Sequence, residues 1–268
     1  MSGINIKNNN IKTNIKYYLS YFGLTLILLL TNFFGLIATK KIRNLNNNNH
    51  SEVVLIIKGK EIQNILENQF PSEASKILIN GVIYEEDEEE NYLLNNDINN
   101  ITLIFEDKFK TCKYMFNELN NIIEIYLTNF DFSEVTIMTG MFGECSNLEK
   151  INFGNINASS VEDMEFLFFG CKNLKYLDLS NFDFSKVTSM SYTFAECFKL
   201  EKINFGNANT SSLINMESLF YGCSELKSLD LSNFDTSKVK TMYSMLVECS
   251  KLEKINFGNI NTSSLKNM

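Results

Sequence analysis

The chain has 268 residues, of which 44% are hydrophobic, so it holds enough apolar material for one large domain or two small ones. Its formal net charge of −8 argues against a nucleic-acid partner, because phosphate binding needs clusters of basic side chains. Histidine occurs only at His50, which argues against most histidine-based catalysis and most histidine-containing metal sites.

The N-terminal part of the chain carries a long apolar segment, residues 17–39, which runs for 23 residues without a charge. A helix of this length covers about 34 Å, enough to cross the hydrocarbon core of a bilayer. A buried helix of a soluble domain is disfavoured, because no matching helical core follows. We therefore predict a single-pass membrane protein with a tail over residues 1–16, a transmembrane or signal-anchor helix over 17–39 and a linker over 40–52. Three basic residues stand on each side, so the membrane orientation stays open, as does cleavage of a signal peptide.

Residues 53–108 do not follow the pattern of the later sequence and predict a small α+β cap. Three β-branched runs that end in glycine or in charge predict strands: Val53–Gly59, Lys76–Gly81 and Ile101–Asp107. The apolar spacing of residues 60–70 predicts a short helix. The acidic run Glu85–Glu90 predicts a solvated loop, because contiguous carboxylates lack the spaced ligand order of a calcium loop.

The remaining sequence, residues 109–268, is built from 26-residue repeats. The period is carried by ladders of cysteine, methionine, asparagine and serine. The cysteine ladder consists of Cys145, Cys171, Cys197, Cys223 and Cys249. A fixed period of this length predicts a solenoid, in which stacking of the units buries an apolar face that no single unit could bury. The last coil, which reaches Met268, is incomplete.

Each repeat contains an apolar strand pattern, a polar turn and a second apolar segment. The strand pattern is typical of leucine-rich repeats, as in Leu226-x-x-Leu229-x-Leu231. The second segment has apolar residues at spacings of 3, 3, 1 and 3, namely Val135, Met138, Met141, Phe142 and Cys145, which predicts one face of a short helix. The predicted fold class is therefore α/β: a leucine-rich-repeat-like solenoid of 26-residue strand–turn–short-helix coils, with an N-terminal transmembrane helix and a small α+β cap.

The ladders predict structure rather than chemistry. The cysteines are expected to be small buried residues, because a cysteine nucleophile needs a nearby base and the repeats contain no histidine. Disulfides between successive cysteines are not expected, because helix-side positions of stacked coils usually lie too far apart. A further ladder could bind calcium, but capping of turns is the preferred interpretation: Asp131, Asn157, Asp183, Asn209, Asp235 and Asn261. We predict no catalytic residue, no metal and no cofactor.

The phrase "LSNFDTSKV…M…ML…CSKLEKI", which begins at Leu231, strongly resembles the 26-residue-repeat surface proteins of the BspA-type leucine-rich repeat family. Matching motifs cover residues 109–268, and residues 53–108 resemble the cap found ahead of such repeats. The resemblance implies a solenoid displayed at a cell surface and used for adhesion or recognition, without catalytic residues. The chain departs from the family in having no visible cell-wall sorting signal.

Alternation along the strands places one set of side chains outward, where a ligand could contact them. These candidate binding-face residues are Lys150, Asn152, Tyr176, Asp178, Lys202, Asn204, Ser228, Asp230, Lys254 and Asn256. We predict a non-catalytic cell-surface binding module that recognises a protein or a glycan, with the repeats extracellular and the membrane contacted through residues 17–39. A simply solvated strand face is the alternative for the residues. A membrane-tethered cytoplasmic scaffold that mediates protein–protein interaction is the alternative for the function. An enzyme is disfavoured, since a repeat provides identical carboxylates rather than two differently tuned ones.

Overall fold

A computed structural model describes residues 50–59, 74–84 and 96–267, which lie within one compact unit, Asn49–Met268. These residues form ten strands, and none of them forms a helix. The predicted tail, the apolar segment 17–39, most of the linker, the short helix 60–70 and the acidic run Glu85–Glu90 lie outside the described residues. Within the described part of the chain, no helix is long and apolar enough to cross a membrane. The predicted single-pass membrane localisation is therefore corrected, because the described structure gives it no support.

The N-terminal sheet has six strands in the order β3-β2-β4-β1-β5-β6. Its strands are β1 (Ser51–Lys58), β2 (Lys76–Ile79), β3 (Val82–Tyr84), β4 (Ile98–Phe105), β5 (Ile122–Asn129) and β6 (Lys150–Asn152). Strand β1 pairs antiparallel with both β4 and β5, and Leu55 lies opposite Ile101 on one side and Ile125 on the other. All three side chains are fully buried, and burial alternates along β1 as the pleat of a strand requires. The three strands predicted for this region are present as β1, β2 and β4.

Strands β6 to β10 recur once per repeat, and the last four are β7 (Tyr176–Asp178), β8 (Lys202–Asn204), β9 (Ser228–Asp230) and β10 (Lys254–Asn256). They pair in twos: β5 with β6, β7 with β8 and β9 with β10, each parallel and with equivalent residues of the two repeats opposite each other. No sheet joins β6 to β7 or β8 to β9. On the strand side, the repeats are therefore hydrogen-bonded two by two.

The opposite side of the repeats is joined at every step. Isolated parallel bridges link equivalent residues of successive repeats, running Thr111, Ile137, Asp163, Ser189, Asn215, Thr241 and Asn267. Apolar side chains between the two sides form a continuous core. One Phe from each repeat stacks on the next through Phe116, Phe142, Phe168, Phe194 and Phe220, with ring centroids 5.3–5.9 Å apart.

The predicted short helix in each repeat is wrong, and the prediction of an α/β, leucine-rich-repeat-like solenoid with a transmembrane helix is corrected with it. The described residues contain strands, bridges and turns instead. In the segment predicted to be helical, alternate N–H groups bond to the next repeat: Gly140 N–H donates to Glu165 O at 2.8 Å, and Phe142 N–H donates to Leu167 O at 3.0 Å. The intervening Met141 N–H closes a tight turn onto Met138 O at 3.1 Å. A left-handed residue at Gly140, with φ +59°, and another at Glu144 break the helical path.

Glycines after alternate strands explain the pairing in twos. Gly206 follows β8 with φ +55°, and a Cβ there would lie 2.8 Å from Ser180 Cβ and 3.0 Å from Ser180 O, after β7. Gly154 and Gly258 have the same close approach to Thr128 and Ser232. Each glycine therefore lets its repeat approach the preceding one closely. The repeats that begin with β7 and β9 have serine at this position, and they do not pair with the repeat before them.

Candidate binding face

All ten predicted face residues lie on strands β6 to β10, in two rows of equivalent positions, and the parallel register brings them together two by two, in β7 with β8 and in β9 with β10. The first-position row consists of Lys150, Tyr176, Lys202, Ser228 and Lys254, and the last-position row consists of Asn152, Asp178, Asn204, Asp230 and Asn256. Nine of the ten side chains are exposed, and Asn204 is half-buried. The middle residues of β7, β8 and β9 are buried and those of β6 and β10 are half-buried, which agrees with the predicted alternation.

The last-position row has a structural role that sequence reasoning missed. Each Oδ1 accepts a hydrogen bond from the backbone N–H two residues later, at 2.9–3.1 Å. This Asx turn ends every strand of the face. At Asp230, the hydrogen bonds from Ser232 hold the pKa of the carboxyl below its ordinary value. The row therefore fixes the backbone, and it keeps only part of its hydrogen-bonding capacity for a ligand.

Fewer side chains of the first-position row are engaged in hydrogen bonds or ion pairs. Lys150 Nζ donates to Tyr126 Oη at 2.9 Å and lies 3.3 Å from Glu124 Oε2, and these contacts raise the pKa of its amine. Tyr176 Oη donates to Asp178 Oδ2 at 3.2 Å. By contrast, the side chains of the other three residues make no hydrogen bond or ion pair with any described residue: Lys202, Ser228 and Lys254. Lys202 and Ser228 can contact a ligand without losing an internal partner, and Lys254 would weaken only its electrostatic interaction with the Asp230 carboxyl.

Ion pairs between repeats flank the face. Lys227 Nζ lies 2.8 Å from Glu201 Oε2, and Lys251 Nζ lies 2.8 Å from Glu225 Oε2. Both pairs are exposed and add little stability, but they neutralise this border of the face. Writing the sequence with one repeat per row would have revealed the pairs, since oppositely charged residues then fall next to each other.

A small cavity opens where the face meets the turns. Its volume is about 110 Å³, and it lies between β8 and β9, two strands that do not pair. The residues that line it are Ile203, Asn204, Phe205, Gly206, Asp230, Asn233 and Phe234. Sequence reasoning selected Asn204 and Asp230 of this set. It missed the others, because a gap between two strands cannot be recognised from the pattern of either strand.

The cysteine ladder lies away from the face, in the core. Cys145, Cys171, Cys197 and Cys223 are fully buried, and no disulfide joins them. Each thiol donates to a carbonyl oxygen of the preceding repeat, as Cys197 Sγ does to Phe168 O at 3.2 Å. Burial raises the pKa of the Cys197 thiol to about 12, so the thiolate needed of a nucleophile is scarce at neutral pH.

The ladder considered as a calcium site caps turns instead. The side-chain oxygens of its six members accept the N–H of the serine two residues later at 2.9–3.4 Å, as Asp235 accepts from Ser237. Among the described residues, no group of three or more histidine, cysteine, aspartate or glutamate side chains is arranged to hold a metal ion.

Comparison with known protein families gives a match over the repeats. The model of the family described as "Mycoplasma protein of unknown function, DUF285" matches residues 110–227 and again residues 197–268. Together the two matches cover more than half of the chain. No curated protein and no protein of known structure matches it.

Proposed function

The chain belongs to the DUF285 family, and we propose that its repeats form a non-catalytic binding module that recognises a protein or a glycan through the strand face. The finer relationship, to the BspA-type repeat proteins used in adhesion and recognition, is part of this proposal. It is supported by the regular period of the repeats and by the shared phrase that begins at Leu231.

One observation carries the proposal: the short strand of every repeat exposes side chains at equivalent positions, and within each strand pair the parallel register places them opposite each other. Repeat proteins bind through extended surfaces of this kind, in which a fixed backbone presents exchangeable side chains. Here, the last-position row and its Asx turns supply the fixed backbone. Lys202, Ser228 and Lys254 supply side chains that make no hydrogen bond or ion pair with any described residue.

The non-catalytic part of the proposal is supported by the chemistry of the repeats. The thiols are buried with raised pKa values, as at Cys145 and Cys197. The face carboxylates Asp178 and Asp230 form equivalent turns, and the pKa of each lies below its ordinary value, whereas acid–base catalysis needs a second carboxyl group whose pKa is raised.

Charge reversal on the face tests the proposal. The full chain is applied to an array of immobilised glycans and purified proteins, beside the variant Lys202→Glu/Lys254→Glu. We expect at least one ligand to bind the wild type and to bind the variant at least about tenfold more weakly, as for residues at the centre of an interface.

The matched control is Lys186→Glu/Lys238→Glu, which makes the same charge change at exposed positions outside the strands. Its binding is expected to equal that of the wild type. If both variants lose binding to the same extent, the loss is a general effect of charge and the proposal is contradicted. The proposal is also contradicted if no glycan or protein of the array binds the wild type.

A further inference from the structure

We propose that the cavity between β8 and β9 is a subsite for one sugar unit of a neutral linear glycan, and that an equivalent subsite lies two repeats earlier. This inference rests on the proposed function and names its ligand class. The junction between two strand pairs, rather than the first-position row, would then determine which ligand binds.

The junction between β8 and β9 lacks a backbone hydrogen bond that is present within the strand pairs, and we call such a junction open. Between the paired strands β7 and β8, Leu179 N–H donates to Asn204 O at 2.8 Å, and Leu231 N–H donates to Asn256 O at 2.8 Å between β9 and β10. The corresponding bond from Phe205 N–H to Asp230 O is absent from the described structure. Both residues line the cavity. Hydroxyl groups can bond to an unpaired N–H and an unpaired carbonyl, since a hydroxyl both donates and accepts.

The side chains of the cavity suit a sugar. Asp230 Oδ1 accepts the Ser232 N–H, which leaves acceptor positions on the carboxylate. Asn233 Nδ2 donates to Gly206 O at 3.0 Å, which leaves its second N–H and its Oδ1. The rings of Phe205 and Phe234 meet edge to face at 5.0 Å and form an apolar wall. Apolar walls with a few converging polar groups are typical of small-molecule sites.

The charges around the cavity favour a neutral ligand. Asp230 disfavours an anion. The charge of Lys254 partly balances that of Asp230: after the hydrogen bonds from Ser232 and Asn256, it lowers the pKa of the Asp230 carboxyl. A sugar is uncharged, and it presents both hydroxyl groups and an apolar face of C–H groups. An acidic peptide side chain would meet repulsion from Asp230, which lines the cavity.

The same set of residue types recurs two repeats earlier, as Ile151, Asn152, Phe153, Gly154, Asp178, Asn181 and Phe182. Part of its geometry is similar: Asn181 Nδ2 donates to Gly154 O at 3.4 Å, and the Phe153 and Phe182 rings meet edge to face at 4.8 Å. Asp178 keeps fewer acceptor positions than Asp230, because its Oδ2 also accepts from Tyr176 Oη. Two strand steps separate the sets, and one of them crosses an unpaired junction, so the distance is at least about 10 Å, twice the spacing of paired strands. This is close to the length of a disaccharide in an extended chain. The ligand class that fits is therefore a linear glycan whose successive disaccharides occupy successive junctions.

Titration with oligosaccharides of increasing length tests the inference. The full chain is titrated calorimetrically with β-1,4-linked gluco- and N-acetylgluco-oligosaccharides, from disaccharide to hexasaccharide. We expect affinity to rise when the ligand becomes long enough for both junctions. Asp230→Asn is expected to weaken binding about tenfold, since it removes a charged acceptor. The fold should tolerate this change, because Asn204 forms the same Asx turn at the equivalent position.

The matched control is Asp235→Asn, which makes the same substitution in the turn-capping ladder, where Asn209 and Asn261 already occur. It is expected to bind as the wild type does. Absence of binding by every oligosaccharide, or equal effects of Asp230→Asn and Asp235→Asn, would overturn the inference. A protein ligand lost in Lys202→Glu/Lys254→Glu but retained in Asp230→Asn would overturn it too, while leaving the proposed function intact.

Discussion

At the scale of the residue, the buried thiols are the groups whose chemistry the fold changes most. Cys197 is fully buried and donates its S–H to Phe168 O of the preceding repeat. Removal from water disfavours the thiolate, and the pKa rises from 9.0 to about 12. Cys145 shows the same shift for the same reason. The protonated thiol is therefore part of the folded structure.

This shift predicts a loss of stability in alkali. Below pH 9 the thiol is protonated in both the folded and the unfolded chain, and it adds no pH dependence. Between pH 9 and about 12 only the unfolded chain releases the proton. The free energy of unfolding should then fall by up to about 1.4 kcal/mol per pH unit for each such thiol. Urea denaturation under reducing conditions, repeated at increasing pH, measures the slope. Cys197→Ala should be less stable at pH 7 but should show a shallower slope, and equal slopes would contradict the assignment.

At the scale of the element, the turn segments are the feature that sequence pattern misjudged. Met138, Met141, Phe142 and Cys145 are all fully buried, so their spacing identified an inward side correctly. A helix and this succession of turns bury the same positions. They differ in the partner of alternate N–H groups, which is a carbonyl of the next repeat here, as in the bond from Phe142 to Leu167. Local periodicity contains no information about that partner.

The left-handed positions give a test that separates the two structures. Glu196 has φ +59°, and glycine occupies the equivalent positions 170 and 222. Glu196→Gly should therefore leave the free energy of unfolding unchanged or raise it by up to about 1 kcal/mol, because glycine adopts this conformation without strain. In a helix the same change would cost about 1 kcal/mol. Denaturant unfolding measures the difference.

The control for this test is Lys199→Gly, an exposed position in the same repeat where φ is not positive. This change is expected to lower the free energy of unfolding by about 0.5–1 kcal/mol, because glycine increases the entropy of the unfolded chain. If both substitutions destabilise the protein equally, the left-handed assignment at Glu196 is wrong.

Part of the candidate site was predictable, because the exposure of a side chain follows from the pattern of its own strand. Outward positions such as Lys202 and Asp230 follow from alternation within one strand, and the structure places them on the surface. The Asx turns were foreseeable as turn chemistry but not as a property of the face itself. The cavity beside Phe205 was not predictable, because it depends on which neighbouring strands pair.

At the scale of the whole molecule, the two sides of the repeats have different hydrogen-bonding periods. The turn side is bridged at every repeat, whereas the strand side is paired only at every second one. This difference corresponds to the two alternating phrases of the sequence, one with Gly and one with Ser after the strand. The glycine allows close approach to the preceding repeat, as at Gly206 against Ser180. Repeats with glycine after the strand therefore pair with the preceding repeat, and repeats with serine at this position do not.

Hydrogen exchange at single amides should show that the strands are paired only at every second repeat. The N–H groups of Leu179 and Leu231 donate to the next repeat at 2.8 Å, whereas those of Phe153 and Phe205 have no such bond in the described structure. We expect the two leucine amides to exchange much more slowly than the two phenylalanine amides, because exchange requires opening of the hydrogen bond. Gly206→Ala should accelerate exchange at Leu179, since the added methyl group pushes β8 away from β7, and should leave Leu231 unchanged. Uniform protection of all four amides, or equal acceleration at both leucines, would show that the strand side is a continuous ladder and that the open junctions do not exist in solution.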